Sequence, residues 1–409
     1  MQKDRIAIIG GGAGGIMAAL FAKNSNNQVD IYEKNQALGK KISISGNGRC
    51  NIFNANLKRD DFFGEDLSFL EYALREYDFP KFRRFCEDLG LFLKVEEDGK
   101  VYPLSNQAKS VLEIFDRALK ERGVNIFLSN EVLKVEQKEG IFEVVSKDKK
   151  AWYDKILIAC GGKSAPNLGG GESGYEIAKK FGHTISPLYP ALVQLETKID
   201  RVLIGVKTKA KVSIIDKEYR GISFTNDLLF TKYGLSGFSI LDISLYVSKA
   251  LLSKESVVLS LNLLPDFERS FLEDKFLKIS KKYPKREVVH LLVGFLPLQI
   301  AKFLTSRLKL ERKNLQDIGV KSIKQIVATI LDLRFEVKKT HGFKYAEVCG
   351  GGVDISMVDR KSFESKLVKN LFFAGEVLDI TGKRGGYNLA FAFISGYLSG
   401  KAMTTRDKI

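Results

Sequence analysis

The sequence predicts an α/β protein in which one domain is built from both ends of the chain. The chain begins with a short apolar strand, a glycine turn and a helix, in RIAIIGGGAGGIMAALFAKN at 5–24. A similar pattern returns near the other end, where LFFAG at 371–375 leads through a turn to a helix. Between them, from about residue 190 to 345, the pattern changes to short β-type runs followed by basic helical stretches. An insertion into one domain explains this order.

The first glycine turn fits the fingerprint G-x-G-x-x-G at Gly10, Gly12 and Gly15. In that fingerprint the first glycine allows the tight turn, the second lets a pyrophosphate approach the backbone, and the third lets helix and strand pack closely. The N-terminus of the following helix offers unpaired N–H groups and a partial positive charge to phosphates. The pattern therefore predicts a Rossmann-like unit.

A second strand, in QVDIYEKN at 28–35, ends in Glu33, which lies 23 residues after Gly10. An acidic residue at this distance is placed to accept hydrogen bonds from an adenosine ribose. Strand, turn, helix, strand and acid in this register predict dinucleotide binding. FAD and NAD share this half-site, so the fingerprint alone leaves both open.

We expect the Rossmann-like domain to comprise residues 1–190 and 346–409. Residues 191–264 are expected to form a β-rich, barrel-like insert completed by strands near 331–345, and residues 265–330 a basic helical subdomain. A chain of 409 residues is longer than one hydrophobic core usually supports, which agrees with several units.

Composition argues against several other classes of protein. No apolar run reaches the roughly 18–20 residues that span a bilayer. The apolar N-terminal run is rich in glycine and lacks a cleavage site, so we expect a cytoplasmic protein without a signal peptide. We expect no metal centre, because the cysteines and histidines show no ligand spacing; they are Cys50, Cys86, Cys160, Cys349, His183, His290 and His341.

The net charge of +16 is unevenly distributed. Residues 265–345 hold 18 Lys and Arg against 9 Asp and Glu, an excess of +9. Such a stretch can attract nucleic acid, an anionic membrane or an acidic substrate. The simpler interpretation, which we favour at this point, is a lysine-rich surface that keeps the protein in solution.

The segment GKKISISGNGRCNIFN at 39–54 follows the second strand and is rich in Gly, Ser and Asn. Its loop from Ser45 to Arg49 can form an anion-binding nest of backbone N–H groups, to which Arg49 adds charge. A solvated basic loop is the alternative, but the apolar residues Ile42, Ile44 and Ile52 argue against it. We therefore expect this segment to contact the cofactor.

A second match to the glycine fingerprint lies at 169–174, in GGGESG. The preceding KSAPNL is a turn sequence rather than a strand, so we interpret the match as a loop that opens a helix. A second dinucleotide site is the alternative.

Taken together, several motifs resemble the bacterial BaiN/YhiN-type flavoproteins, a family also described as NAD(P)/FAD-dependent oxidoreductases or aminoacetone oxidases. The motifs are GGGAGG, GKKISISGNGRCNIFN, EEDGKVYPLSNQA, ACGGKSAPNLGGGESGYEIAKKFGH, LLFTKYGLSG and NLFFAGEVLDITGKRGGYNLAFAFISG, and the resemblance covers nearly the whole chain. It implies FAD in a two-part Rossmann-like domain interrupted by a β-barrel and a helical subdomain.

The resemblance also implies roles for particular residues. Gly10, Gly12, Ala13 and Gly14 would hold the pyrophosphate, and Glu33 the ribose. Lys41 and the loop Arg49–Asn51 would lie along the cofactor, Gly375, Glu376 and Asp379 near its ribityl and phosphate part, and Gly386 to Leu389 at the isoalloxazine edge. The full candidate set is Gly10, Gly12, Ala13, Gly14, Gly15, Glu33, Lys34, Lys41, Ser45, Gly46, Arg49, Cys50, Asn51, Val132, Gly161, Gly375, Glu376, Asp379, Gly385, Gly386, Tyr387, Asn388 and Leu389.

Two interpretations within this set stay open. Cys50 belongs to a family motif, but without a partner cysteine nearby a buried structural thiol is favoured over a redox role. The glycines Gly385 and Gly386 would let a helix N-terminus approach the flavin ring where a Cβ would collide, or they serve only to start the helix.

The chain departs from the family pattern LFTH-x-G-x-SGP at two positions. It has Lys232 where the family has the histidine and Phe238 where the family has the proline. Cys349 also stands where the family has a small or hydroxylated residue. An acid–base role for that histidine therefore does not carry over, and no residue is assigned a catalytic role.

We expect an FAD-dependent oxidoreductase that acts on a small organic substrate between the FAD domain and the insert, with NAD(P)H as a candidate electron donor. The alternatives are a nucleic-acid-binding flavoprotein and a protein that uses FAD as a structural element or redox sensor. We expect a small-molecule substrate rather than nucleic acid, because no aromatic single-strand platform or RNA module is visible. The sequence indicates neither the substrate nor the oligomeric state.

Overall fold

The computed structural model describes residues 3–404, which divide into two compact units. Unit 1 contains residues 3–189 and 348–404, so both ends of the chain contribute to it. Unit 2 contains residues 190–347. Each has its own cluster of buried apolar side chains.

The strands within residues 3–404 are β1 Asp4–Ile9, β2 Asn27–Tyr32, β3 Phe53–Asn54, β4 Phe62–Phe63, β5 Leu93–Val95, β6 Lys100–Pro103, β7 Asn125–Phe127, β8 Val132–Lys138, β9 Ile141–Ser146, β10 Lys150–Tyr153, β11 Lys155–Ile158, β12 Ile185–Ala191, β13 Leu195–Glu196, β14 Lys207–Ile214, β15 Ser223–Thr231, β16 Gly234–Ser236, β17 Val257–Asn262, β18 Leu333–Val337, β19 Lys339–Thr340, β20 Val348–Val353, β21 Leu371–Phe373 and β22 Thr381–Gly382.

The α-helices of the same residues are α1 Ala13–Ala22, α2 Lys40–Ile44, α3 Leu70–Glu76, α4 Phe79–Asp88, α5 Ala108–Glu121, α6 Ser173–Lys180, α7 Phe238–Ala250, α8 Arg269–Lys282, α9 Val288–Leu292, α10 Leu298–Arg307, α11 Val320–Leu331 and α12 Tyr387–Thr404.

The centre of unit 1 is a five-stranded parallel sheet in the order β21-β11-β1-β2-β7. The residues of β11 and β21 are all buried, as expected for parallel strands covered on both faces. Strand β21 comes from the far end of the chain and pairs directly with β11, with Leu157 opposite Phe372. The α/β class and the origin of one sheet from both chain ends are therefore confirmed.

Helix α12 packs against α1 through small residues. A Cβ built on Gly396 would lie 2.3 Å from the carbonyl oxygen of Gly14, and one built on Gly400 would lie 2.6 Å from that of Ala18. The two backbones touch, so larger side chains at these positions would force the helices apart. This contact holds the C-terminal helix against the first glycine turn.

Unit 2 is built on a seven-stranded antiparallel sheet in the order β18-β17-β14-β15-β16-β13-β19. Burial alternates along β17 and β18, with every second residue buried in the core. The edge strands β18 and β19 are separated only by Lys338, and the hydroxyl of Thr197 donates to the carbonyl of Glu336 in β18 at 2.6 Å. The sheet therefore curls back on itself.

Helices α7 to α11 supply the rest of the unit 2 core. Within the expected helical subdomain at 265–330, α9 and α10 are two separate helices rather than one. The break lies before Pro297, whose ring nitrogen has no hydrogen to donate and which stands at the N-cap of α10. Among residues 3–404, no helix combines the length and apolar character needed to cross a bilayer.

Candidate functional site

The first glycine turn connects β1 to α1 in unit 1. The N–H of Gly10 donates to the carbonyl of Tyr32 in β2 at 2.8 Å, and its φ of +111° is open mainly to glycine. A Cβ there would lie 2.3 Å from the carbonyl oxygen of Ala159. At Gly15 a Cβ would lie 1.9 Å from the carbonyl oxygen of Gly10, so α1 could not pack on the turn. Both glycines are required by the protein's own packing.

Gly12 is different. Its φ is −82°, which any residue adopts, and no atom lies within 4 Å of a Cβ built on it. The packing of the chain therefore does not require glycine at this position. An open space beside the N-terminus of α1 is what a pyrophosphate needs in order to approach the backbone.

The same helix end leaves donors free. Among residues 3–404, no acceptor bonds to the N–H groups of Gly12, Ala13 and Gly14, because the first intrahelical bond of α1 begins at the N–H of Ile16. These groups and the partial positive charge of the helix end suit an anion. The turn therefore fits the dinucleotide predicted from the sequence.

Glu33 lies just after β2 and is buried. One carboxylate oxygen accepts from the N–H of Gly11 at 2.8 Å, and the other accepts from the N–H and side-chain amide of Asn35, at 2.8 and 2.6 Å. These bonds orient the carboxylate beside the glycine turn and leave acceptor capacity on the oxygen that faces Gly11. Its contact with a ribose stays a prediction.

The segment after β2 begins with the short helix α2 and not with a continuous loop. It then turns through Gly46, Asn47, Gly48 and Cys50, which all have positive φ between 57° and 82°. Ser45 closes this turn, because its carbonyl accepts from the N–H of Cys50 at 2.9 Å.

Lys41 of α2 belongs to a network of polar contacts that is centred on the carboxylate of Glu376. Its ammonium nitrogen lies 2.7 Å from an oxygen of Glu376 and 2.8 Å from the hydroxyl of Ser164. The other oxygen of Glu376 accepts from Ser164 at 2.8 Å and from the N–H of Cys349 at 2.7 Å. Burial opposes the charge of Glu376, but the Lys41 ammonium and these hydrogen bonds hold the pKa of its carboxyl below the ordinary value.

Arg49 extends towards neighbouring residues of unit 1. Its guanidinium forms an ion pair with Glu96 at 2.6 Å, bonds to Asn106 at 3.2 Å, and lies 4.1 Å from the ring centroid of Tyr102. The loop is therefore held to β6 and to the residues on either side of it, and a contact of Arg49 with the cofactor remains a prediction.

Cys50 and Asn51 are both buried. Burial raises the pKa of the Cys50 thiol to about 11, so it is protonated at neutral pH. The hydrogen-bond network orients the Asn51 amide to donate to the carbonyl of Phe53 at 3.0 Å and to accept from the N–H of Gly386 at 3.2 Å. The described contacts of both residues are with the protein itself.

The residues that precede α12 pack closely against another segment of unit 1. Gly386 has a φ of +95°, and a Cβ there would lie 2.3 Å from the carbonyl oxygen of Phe53. The structure shows a close approach of this glycine to strand β3, so a substitution would disturb the fold directly, and an approach to the flavin ring stays a prediction. Asn388 accepts from the N–H of Gly382 at 2.7 Å and holds the turn before the helix.

The remaining candidates all lie in unit 1. Lys34 is exposed, and Val132 is buried at the start of β8. Gly161, Gly375 and Asp379 follow β11 and β21, whose carboxyl ends lie at one edge of the parallel sheet. Gly385, Tyr387 and Leu389 lie at the opening of α12. Contacts of all of these with a cofactor stay predictions.

Sequence reasoning missed Ser164 and the N–H of Cys349 as partners of Glu376. Ser164 is fully buried and lies in the quoted motif ACGGKSAPNL, so the motif itself was a signal for it. Cys349 carried no such signal, because its backbone N–H takes part and not its thiol.

These observations fit FAD. The open turn at Gly12, the free N–H groups of α1 and the oriented Glu33 would hold the adenosine and pyrophosphate. Lys41 and Glu376 lie where the strands β11 and β21 end, as binding groups do in open parallel sheets.

Comparisons with known proteins identify a family and relatives that match nearly the whole chain. The model of the HI0933-like protein Rossmann domain family matches residues 4–402. A 3-dehydro-bile acid delta(4,6)-reductase of Clostridium scindens is 35% identical over 98% of this chain and 100% of its own. A ribosomal RNA dihydrouridine synthase of Haemophilus influenzae is 30% identical over 97% of each chain.

Among solved structures, a 3-ketosteroid delta1-dehydrogenase from Sterolibacterium denitrificans in complex with 1,4-androstadiene-3,17-dione aligns with 99% of this chain and 100% of its own, with a TM-score of 0.50. The two chains are 10% identical, so this likeness concerns the fold alone. The family match covers nearly the whole chain and confirms the resemblance found in the sequence. The chain belongs to the HI0933-like Rossmann family, the BaiN/YhiN-type flavoproteins, and is an FAD-dependent oxidoreductase.

Proposed function

We propose that the protein reduces a carbon–carbon double bond that is conjugated to a carbonyl group. The observation that carries this proposal is the full-length similarity to two relatives whose names describe one type of chemistry. A delta(4,6)-reductase of a 3-dehydro bile acid removes ring double bonds conjugated to the 3-oxo group. Dihydrouridine is uridine whose ring double bond, conjugated to a carbonyl, has been reduced.

FAD, when bound and reduced, would supply a hydride for such a reaction, and the substrate would gain this hydride and one proton. The chain's own residues would hold and orient the cofactor: the α1 N-terminus and Gly12 at the pyrophosphate, and Glu33 at the ribose. Lys41 and Glu376 keep a fixed pair of opposite charges at the edge of the sheet. NAD(P)H is proposed as the donor that reduces the flavin.

The first candidate substrate is a small cyclic enone. The relative with 35% identity over 98% of the chain supports this candidate, since its named substrate is a steroid acid.

The second candidate is a uridine in RNA, supported by the charge of unit 2. Residues 190–347 carry 28 Lys and Arg against 17 Asp and Glu, an excess of 28 − 17 = +11. All 18 basic residues of the stretch 265–345 are exposed. An excess of exposed positive charge attracts the phosphates of RNA.

One anaerobic experiment tests the reaction and separates the candidates. The FAD-loaded protein is mixed with NADH or NADPH, and bleaching of the flavin absorbance identifies the donor. The reduced protein then receives either a 3-oxo-4,6-diene steroid acid or a ribosomal RNA transcript. We expect recolouring without air, together with a product that has gained two hydrogen atoms. If the flavin recolours only in air, the reductase proposal is wrong, and FAD acts as an oxidase cofactor, structural element or sensor.

A further inference from the structure

We propose that three stacked rings of unit 2, those of Tyr233, His341 and Tyr345, form a platform on which a base of single-stranded RNA stacks. The inference rests on the RNA candidate of the proposed function and assigns part of its binding to a particular surface. We call these three residues the ring stack.

The ring stack brings together residues that are distant in sequence. The ring centroids of Tyr233 and His341 are 4.2 Å apart with an interplanar angle of 12°, and those of His341 and Tyr345 are 4.1 Å apart at 32°. His341 therefore lies between the two tyrosines. Tyr345 is the outer ring, with 49% of the residue exposed.

The stack is held by the sheet of unit 2. Tyr233 lies in the turn between β15 and β16, and His341 directly follows β19. Strand β13 pairs with both β16 and β19, so it fixes the spacing between the two turns.

Hydrogen bonds set the orientation of the middle ring. Nδ1 of His341 lies 3.0 Å from an oxygen of Glu196, and the His341 N–H donates to the carbonyl of Gln194 at 2.9 Å. The N–H of Tyr345 donates to the carbonyl of Gly342 at 3.1 Å, which closes the turn that carries the outer ring. The platform is therefore ordered before any ligand arrives, which lowers the entropic cost of binding.

The ring stack does not belong to the hydrophobic core. None of its three residues is among the apolar residues that form or pack against the core of unit 2. An exposed tyrosine on a rigid stack offers an aromatic face, on which every base can stack because every base has a π-face.

One lysine lies beside the outer ring, and a second is next in sequence to the ring at the other end of the stack. The ammonium of Lys344 lies 5.5 Å from the Tyr345 ring centroid, and Lys232 precedes Tyr233 in the adjoining turn. Both lysines are exposed, and among residues 3–404 neither forms an ion pair with a carboxylate. Flexible lysines beside an aromatic face suit the phosphates that flank a stacked base. An aromatic ring with free cations favours RNA over an uncharged partner.

The test measures binding of a fluorescent oligouridylate to the FAD-loaded, full-length protein by anisotropy at several salt concentrations. Replacing the outer ring, Tyr345→Ala, should weaken binding by roughly 5- to 150-fold, the range for losing one stacked base. Tyr345→Phe keeps the ring and should bind like the wild type. Lys344→Ala should reduce the salt dependence, with a slope change of about 0.7 for one lost phosphate contact on a single strand.

Tyr283→Ala is the matched control, because Tyr283 is also exposed in unit 2 and lies beside a cation, with the Arg286 guanidinium 4.1 Å from its ring centroid. Flavin content and the thermal midpoint show that each variant is folded. If Tyr345→Ala binds like the wild type, if Tyr283→Ala loses as much, or if the wild type binds no RNA, the platform is wrong. Reduction of the ribosomal RNA transcript and of the steroid acid is measured on the same variants, so a failed platform remains distinguishable from a failed reductase proposal.

Discussion

Glu33 already has both carboxylate oxygens engaged before any cofactor is considered. Gly11 donates to one oxygen and Asn35 to the other, so the residue both orders its own loop and faces the glycine turn. A substitution at Glu33 therefore removes both its hydrogen bonds within the protein and its proposed contact with the ribose. A second variant, at Asn35, helps to distinguish the two effects.

Glu33→Ala should weaken FAD binding by about 1–3 kcal/mol, because ribose hydroxyls would lose their acceptor in a buried place. Asn35→Ala removes the side-chain amide bond to Glu33 at 2.6 Å but keeps the bond from the backbone N–H, and it should leave FAD affinity within about 0.5 kcal/mol of the wild type. Titration of the apoprotein with FAD, followed by fluorescence, measures both. Equal losses in the two variants would mean that Glu33 acts by ordering the loop and not by holding the ribose.

Lys41 and Glu376 form an ion pair whose partners are 29% and 17% exposed. Lys41→Met should lower the free energy of unfolding by about 1–3 kcal/mol, below the cost of breaking a fully buried pair because Lys41 keeps some contact with water. Urea unfolding measures this loss. A double variant with Glu376→Gln should recover part of it, since no uncompensated carboxylate remains.

The same pair predicts a pH dependence. The pKa of Glu376 is lowered from the ordinary value of 4.5, so its contribution to stability is complete above that value and is lost as pH falls through the lowered one. Between neutral pH and strongly acidic pH, the urea midpoint of Glu376→Gln should fall less than that of the wild type. Parallel declines would show that Glu376 contributes nothing to the acid sensitivity.

At the scale of elements, the β1–α1 turn contains glycines of two kinds. Gly15 is required because α1 contacts the turn there, whereas Gly12 has an ordinary φ and open space. The packing of α1 explains why Gly15 is a glycine. It does not explain Gly12, whose role we expect to be cofactor binding.

Gly12→Ala should therefore leave the thermal midpoint of the apoprotein unchanged within about 0.5 kcal/mol of stability, yet abolish or strongly weaken FAD binding. Gly15→Ala should destabilise the apoprotein, because its methyl group would overlap the carbonyl oxygen of Gly10. Calorimetry without FAD and titration with FAD distinguish the two effects. A Gly12→Ala protein with normal FAD affinity would place the pyrophosphate elsewhere.

The whole molecule consists of two units with separate cores. All candidate FAD residues lie in unit 1, so FAD is expected to stabilise that unit selectively. At a free concentration one hundred times its Kd, a ligand stabilises its own unit by about 2.7 kcal/mol.

Hydrogen exchange should show this stabilisation in β1, β2 and β11, and a smaller change or none in β14, β15 and β17. The measurement compares the slowest-exchanging amides with and without saturating FAD. Equal protection in both sets of strands would show that the two units unfold as one.

Much of this protein could be predicted from local sequence patterns. The glycine spacing at Gly10, Gly12 and Gly15 and the acid at Glu33 specify a strand–turn–helix–strand unit over about thirty residues, because backbone geometry there depends on near neighbours. The family motifs extended this to the second half of the domain, and the family match confirms them. The sequence therefore predicted the fold class and the class of cofactor.

Tertiary structure alone decided how distant segments meet. Lys41 finds Ser164 and Glu376, which lie 123 and 335 residues away, and Gly386 is needed because Phe53 packs against it. The ring stack joins Tyr233 to His341 and Tyr345, although no aromatic platform was visible in the sequence. The physical reason is the same in each case: side-chain clusters depend on how sheets and helices pack over the whole unit, and spacing along the chain does not encode that packing.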